Sequence, residues 1–439
     1  MRQPSTLRRH EIVSASPQAT RLRYATPGHG PMRRARPVTT VRRFATKVAL
    51  PLAAAPLRNS MAERDNKHMD VASLHRAILS AGERLGFRRI RAAAPTRLDR
   101  GEFLEQWLAE GRAGEMRFLL HHRKARLDPR TRYPWARTIL SAFVPYPAPP
   151  PFPADWRERL LGRIAAYARA PDYHDALEHK LEIWKQAIRD LAPEARVAGY
   201  TDTGAILEHE WAARSGVGWT GKHTLTLSEE LGSYGFLAEL LLSIELPPDE
   251  PVVERCGTCS RCLPACPTGA IEANWRLDPR LCISYLTIEQ KGPIPTDLRP
   301  ALGEWIFGCD LCQLACPWNP PASGESESAL APHLPALLRL DEAGFDKLYG
   351  RSAVRRTGRI GLARNAAVVL GNTLREEAIA PLASALAEHD AALVREHAAW
   401  GLGRLSGHSR AKVVLALERG LTDPAEAVRE ACREQLSKS

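Results

Sequence analysis

The chain has 439 residues, 44% of them apolar, which is enough for two to four domains with substantial cores. Its formal charge of +11 suggests a nucleic-acid binder, but twelve Lys/Arg and one acid (Glu11) fall in residues 1–60, leaving 49 of each sign in the remainder. Net charge therefore says nothing about partners of the body, and no run of about 18 apolar residues is present to cross a membrane.

Residues 1–60 are rich in Arg, Pro and Ala and lack sustained periodicity. They read as a basic extension outside the fold: a disordered arm, a targeting segment, or translation from an upstream start, with Met61 or Met69 as the alternatives. "RRFATKVALPLAAAP" has an arginine pair at Arg42, but two prolines interrupt the apolar run, so a twin-arginine export signal is not expected. From residue 61 to 250 helix and strand patterns mix. "ASLHRAILSAGERLGF" places Leu74, Ile78 and Leu85 on one helical face. "TILSAFVPY" reads as a strand, and "PAPPPFPADW" breaks it. "WRERLLGRIAAYARA" and "DALEHKLEIWKQAIRDL" have helical patterns; "RVAGYTDTG" is a strand ending at Asp202; "TLTLS" and "GFLAELLLSI" are further strands. The mixture predicts an α/β layer domain.

Residues 251–320 hold eight of the nine cysteines. Cys256, Cys259, Cys262 and Cys266, in "CGTCSRCLPACPTGAI", follow C-x2-C-x2-C-x3-C-P, the bacterial ferredoxin run in which the fourth thiolate serves a second four-iron cluster. "GCDLCQLACPWN" supplies Cys309, Cys312 and Cys316 as a partial second run, with Ile306 where a further cysteine would stand. Cys282 is the remaining thiol of the region and replaces that ligand. One cluster is then held by Cys256, Cys259, Cys262 and Cys316, and the other by Cys266, Cys282, Cys309 and Cys312. A zinc ribbon has no use for the third thiol or the Cys-Pro ending, and disulfides suit small secreted chains. Cys432 reads as a small buried residue.

Residues 321–349, with "NPPASGESESALAP", read as a linker. Residues 350–439 repeat themselves. "GLARNAAVVLGN", "ALVREHAAWGLGRL" and "EAVREACREQLS" align on Arg364, Arg395 and Arg429, the period of HEAT-like helix pairs. "RSAVRRTGRIGLAR" carries Arg351, Arg355, Arg356, Arg359 and Arg364 without an acid. The first four are candidates for RNA phosphate contacts; the bland alternative is a solvated helix face.

The pieces "YARAPDYHDAL", "DTGAILE", "GVGWTGKH", "CISYLTIE" and "FGCDLCQLACPWN", in this order with the repeats behind them, resemble the epoxyqueuosine reductases. The resemblance runs from about residue 72 to the end. It implies a multidomain α+β fold: a nitroreductase-like cobalamin-binding α/β domain, a ferredoxin-like domain with two [4Fe-4S] clusters, and a C-terminal α-solenoid that binds tRNA. It implies reduction of epoxyqueuosine to queuosine at the tRNA wobble position. The enzyme is expected to be a cytoplasmic monomer, fed by an external low-potential electron donor. Asp202 of the "DTG" stretch is implied as the acid, which requires a raised pKa; Glu208 is expected to be a salt-bridge partner. Lys222, Thr226, Ser284, Asp310 and Gln313 are implied near cobalamin, with His174 and His223 as polar residues of the site. No DxHxxG-type cobalamin signature is present, so that cofactor rests on the resemblance alone. Two other readings are a cobalamin/iron–sulfur reductase of a small molecule, similar to reductive dehalogenases, and a non-enzymatic electron-transfer scaffold.

Overall fold

Four strands carry the N-terminal part of the computed structural model, which describes residues 69–322 and 331–438. The basic extension 1–60 lies outside the described residues. The strands β1 (Arg88–Ala93), β2 (Thr138–Pro145), β3 (Val197–Tyr200) and β4 (Gly235–Leu242) form an antiparallel sheet in the order β1-β2-β4-β3. Both central strands are almost wholly buried, which explains their continuous apolar runs. Strand β1 escapes a pattern search because three of its six residues are arginines and a bulge interrupts its register.

Helices α1 (Val71–Arg84) and α2 (Tyr173–Leu191) cover one face of this sheet. Ile78, Leu181, Trp184 and Ile188 pack there on Leu140, Leu240 and Leu242. The buried Trp184 indole donates to the Ile78 carbonyl at 2.9 Å. A Cβ on Gly82 would meet that ring at 2.5 Å, so the helix pair approaches closely only with glycine there. Helix α3 (Glu208–Ser215) brings Trp211 to the other face, against Ile139 and Leu241.

The segment "WRERLLGRIAAYARA" is not a long helix. Arg163–Ile164 pairs in parallel with Trp305–Phe307, and the Gly162 amide donates to the Pro332 carbonyl. These long-range backbone bonds replace the local ladder that the pattern suggests. The "TLTLS" strand is only two residues long, Thr226–Leu227. Within 321–349, the described residues form helices Leu334–Leu337 and Glu342–Tyr349, whose Leu334, Leu337 and Phe345 enter a core; they are not all linker.

The tail forms α4 (Gly358–Thr373), α5 (Ile379–Glu388), α6 (Ala392–Gly403), α7 (Arg410–Gly420) and α8 (Glu426–Lys438). Helices α4, α6 and α8 stack as one layer, and α5 and α7 as the other, the two-layer arrangement of a solenoid. The repeating arginines have structural roles. Arg395 donates to the carbonyls of His389 and Asp390, and Arg429 donates in the same way to those of Asp423 and Pro424. Arg364, at the first repeat, instead donates to the carbonyls of Leu286, Gln290 and Gly292. It thereby joins the solenoid to the cysteine-rich segment. Cys432 is buried in the solenoid core, as expected.

Candidate active site

Two turns and a helix start bring the polar residues together. Asp172 is the N-cap of α2 and is 2% exposed. Its carboxylate accepts from the His174 amide at 3.1 Å and lies 2.8 Å from His174 Nδ1. The other ring nitrogen, Nε2, is 3.1 Å from Asp202 Oδ2. The Tyr173 hydroxyl donates to the same oxygen at 3.0 Å, and Arg356 Nη1 lies 3.7 Å from it. Tyr173 is fixed by stacking between His174 and Phe236. Asp202 follows strand β3 with φ of +58°, in the left-handed region that Asp tolerates better than most residues. Its side chain is 47% exposed, so the carboxyl is open to solvent.

The electrostatics reverse one expectation. Hydrogen bonding from His174, then from Tyr173, and the charge of Arg356 hold the Asp202 carboxyl below the usual carboxylate range. His174 moves the other way: its bonds to Asp202 and Asp172 raise it above an ordinary imidazole. The contact therefore favours the proton on His174 over Asp202. Glu208 also differs from the sequence reading. Its carboxyl accepts the Asp202 backbone N–H and faces Glu239, not a cation that would pair with it.

The cysteines gather in two sets. Cys256, Cys259, Cys262 and Cys316 line one cavity with Lys222, His223 and Trp318. Cys266, Cys282, Cys309 and Cys312 interact electrostatically as a second set, and Cys312 also feels Cys262 of the first. All nine cysteines are free thiols. Four thiols per set is the donor chemistry of a four-iron cluster, and the interaction between Cys312 and Cys262 makes the two sets neighbours.

The other site candidates are divided between these features. Lys222 donates to the Gly257 carbonyl at 2.6 Å, at the edge of the first thiol set. Thr226 bonds to His209 at 2.8 Å. Asp310 accepts from the Ala166 amide at 2.8 Å and is pushed up to about 6 by burial. Gln313 accepts from Ser233 at 2.9 Å, and Ser284 follows the thiol Cys282 at the start of a short helix. The buried Tyr234 and Ser228 hydroxyls have no hydrogen-bond partner among the described residues. The unpaired Tyr234 hydroxyl, an electrostatic neighbour of Asp310, fits a large ligand with many polar substituents, such as the cobalamin tail.

The basic stripe does not form one exposed surface. Arg355 is half exposed and pairs with Asp172; Arg356 pairs with Glu289 at 2.7 Å besides Asp202. Arg359 is 9% exposed and joins Glu342 to Asp390. Its acids come from other turns of the chain, which a local charge count misses. Sequence reading also misses Tyr173, His209, Arg356 as a neighbour of Asp202, and Glu239. Only "DYH", with an aromatic and a histidine directly after a cap-forming Asp, gives any signal for the first of these.

Comparison with known proteins agrees along the chain. Residues 126–203 match the family model "Epoxyqueuosine reductase QueG, DUF1730", residues 255–319 the "4Fe-4S double cluster binding domain", and residues 352–437 "HEAT repeats". An epoxyqueuosine reductase of Alicycliphilus denitrificans is 42% identical over 342 residues, covering 73% of this chain and 95% of the relative. A crystal structure of an epoxyqueuosine reductase with an epoxyqueuosine-modified tRNA-Tyr stem loop superposes with a TM-score of 0.74 at 25% identity, covering 84% of this chain and 99% of that one. The Bacillus subtilis enzyme, solved with its catalytic aspartate loop swung out of the active site, gives the same TM-score at 25% identity, covering 84% and 100%.

Proposed function

This chain belongs to the epoxyqueuosine reductase family, and from that premise we propose how its own residues carry the reaction. The enzyme reduces epoxyqueuosine in tRNA to queuosine with two [4Fe-4S] clusters and cobalamin. The epoxide oxygen leaves as water and an alkene remains, so each turnover takes two electrons and two protons. Bound cobalamin supplies the low-potential chemistry at the epoxide. The two clusters, when bound, would relay single electrons from an external donor.

Cys256, Cys259, Cys262 and Cys316 hold one cluster, and Cys266, Cys282, Cys309 and Cys312 hold the other. Thr226, Ser284, Asp310 and Gln313 hold the corrin and its tail, with Lys222 where that site meets the first cluster. His223, buried on the same cavity and pushed down to about 4, stays neutral there.

The observation that carries the catalytic reading is the ring of Tyr173, His174 and Arg356 around the half-exposed Asp202 carboxylate. The Nε2 proton of His174 crosses to Asp202, and the neutral acid then protonates the departing oxygen. Asp172 retains the imidazole through Nδ1 and fixes its orientation. Tyr173 donates to Asp202 and positions it; burial pushes its own pKa far too high for it to give up the proton. Arg351, Arg355 and Arg356 meet tRNA phosphates, whereas Arg359 is held by Glu342 and Asp390. The protein works as a monomer in the cytoplasm; none of its described helices is long and apolar enough to cross a membrane.

The direct test is anaerobic conversion of tRNA that carries epoxyqueuosine, with the protein reconstituted in both cofactors and a strong chemical reductant. Queuosine should appear by nucleoside mass spectrometry, and only with both cofactors. No product from fully loaded protein would overturn the reading.

A further inference from the structure

Asp202 is held in a left-handed turn, and the residues from 201 to 207 have no helix or strand to support it. The Thr201 hydroxyl anchors one end by donating to the Leu237 carbonyl at 2.9 Å. The Asp202 amide itself donates to the Glu208 carboxyl, at the first residue of α3. Behind Glu208 stands Glu239, 0% exposed in the middle of β4. In the sheet it lies in register between Ser141 and Tyr200. Among the described residues, neither Glu239 oxygen has a hydrogen-bond partner within normal length, and the Ser141 hydroxyl has none.

An ionised carboxylate in that position, without a cation or donor beside it, is strongly disfavoured. Glu239 therefore keeps its proton, and the carboxyl that interacts with it is that of Glu208. We propose that Glu208 and Glu239 are a proton-sharing carboxyl latch that holds the Asp202 loop in its working position. The proposal rests on the reading of Asp202 as the acid, and Glu208 and Glu239 are positioning residues for it.

The charges around the pair support this. Burial and the Asp202 charge push Glu208 up to about 8, and burial with the neighbouring Glu208 raises Glu239 well above an ordinary carboxyl. His174, Tyr173 and Arg126 also face this group of acids, and none of these three acts on Glu239. Two carboxyls this close do not both ionise readily. While they share a proton, Glu208 stays in place and accepts the Asp202 N–H. When the pair is fully ionised, repulsion separates them and the loop loses its anchor.

The test is hydrogen exchange of the 201–207 segment in the cofactor-loaded protein, corrected for intrinsic rates, beside the pH profile of turnover. Wild type should stay protected from a pH of about 6.5 through the Glu208 value of about 8, where the pair passes to one shared proton, and lose roughly tenfold or more of that protection only at higher pH, as Glu239 also ionises. Glu239→Gln still donates to Glu208, so protection should persist across this range. Glu208→Ala should leave the segment open at every pH and lower kcat about tenfold or more, with KM for tRNA unchanged. Glu208→Gln keeps the acceptor and should restore most of both. A Glu208→Ala variant as protected as wild type, or a Glu239→Gln variant with unchanged pH dependence, would overturn the latch. Normal turnover by Asp202→Asn would instead remove Asp202 from catalysis and leave the exchange result standing.

Discussion

His174 and Asp202 share a 3.1 Å contact between Nε2 and Oδ2 that raises the pKa of the imidazole and lowers that of the carboxyl. The carboxyl proposed as the acid is thus held low beside a neighbour whose own pKa is raised.

The first prediction follows from that contact. The raised His174 pKa adds stability that is full below its ordinary value of 6.5 and is lost as pH rises through the folded value. The Tm of wild type should therefore exceed that of His174→Gln at a pH of about 6, and the gap should narrow by about pH 9. Turnover of His174→Gln should fall about 10²-fold. A gap that is constant with pH would show that folding does not raise the His174 pKa.

The second concerns the crossed cluster ligands. Cys266→Ala and Cys316→Ala should each damage the cluster seeded by the other cysteine run. Iron per chain should drop from about eight towards four. Full iron retention in both variants would remove the assignment.

The third separates the arginines. Replacing Arg351, Arg355 and Arg356 with Ala should weaken tRNA binding and flatten its salt dependence, by up to about 0.9 in slope for each phosphate no longer neutralised. Arg356 also touches Asp202, so turnover should fall further than binding does. Arg359→Ala should cost about 1 kcal/mol of stability or less, because Glu342 and Asp390 are largely exposed, and should leave tRNA affinity nearly unchanged. Binding curves at several salt concentrations and thermal melts decide between these outcomes.

The fourth concerns the joint between the solenoid and the cysteine-rich segment. Arg364→Ala leaves the carbonyls of Leu286, Gln290 and Gly292 without their donor in a buried place. A loss of about 3 kcal/mol or more in denaturant unfolding is expected. A loss below about 1 kcal/mol would mean that water replaces the guanidinium.

The cysteine sets are legible in the sequence because cluster ligation imposes short, fixed spacings, and the solenoid because its repeat places Arg364, Arg395 and Arg429 at equivalent positions. The helix at Tyr173–Leu191 and the strands at Thr138–Pro145 and Gly235–Leu242 follow from periodicity and apolar runs. Glu239 is hidden as one polar residue in an apolar strand, with nothing local to pair it with Glu208. The acids around Arg356 and Arg359 lie far away in sequence, so charge counting along the chain sees only the cations. The strand at Arg163–Ile164 is hidden for the same reason: its partner, Trp305–Phe307, lies some 140 residues on.

The last prediction tests the acid itself. Asp202→Asn is nearly isosteric, and its amide cannot pass on the proton held by His174. Cofactor content and tRNA affinity should survive, because Asp202 is not among either cysteine set's neighbours and the backbone bond to Glu208 remains available. Conversion of epoxyqueuosine should fall by roughly 10²–10⁴-fold, the usual weight of a positioned acid. If proton transfer runs from His174 through Asp202, the two act in sequence. The Asp202→Asn, His174→Gln double variant should then be no slower than Asp202→Asn alone, rather than showing the product of both losses. Multiplying losses would mean that His174 serves the substrate directly. Near-normal turnover in the folded Asn variant would take Asp202 out of the mechanism and leave His174 as the group that protonates the oxygen.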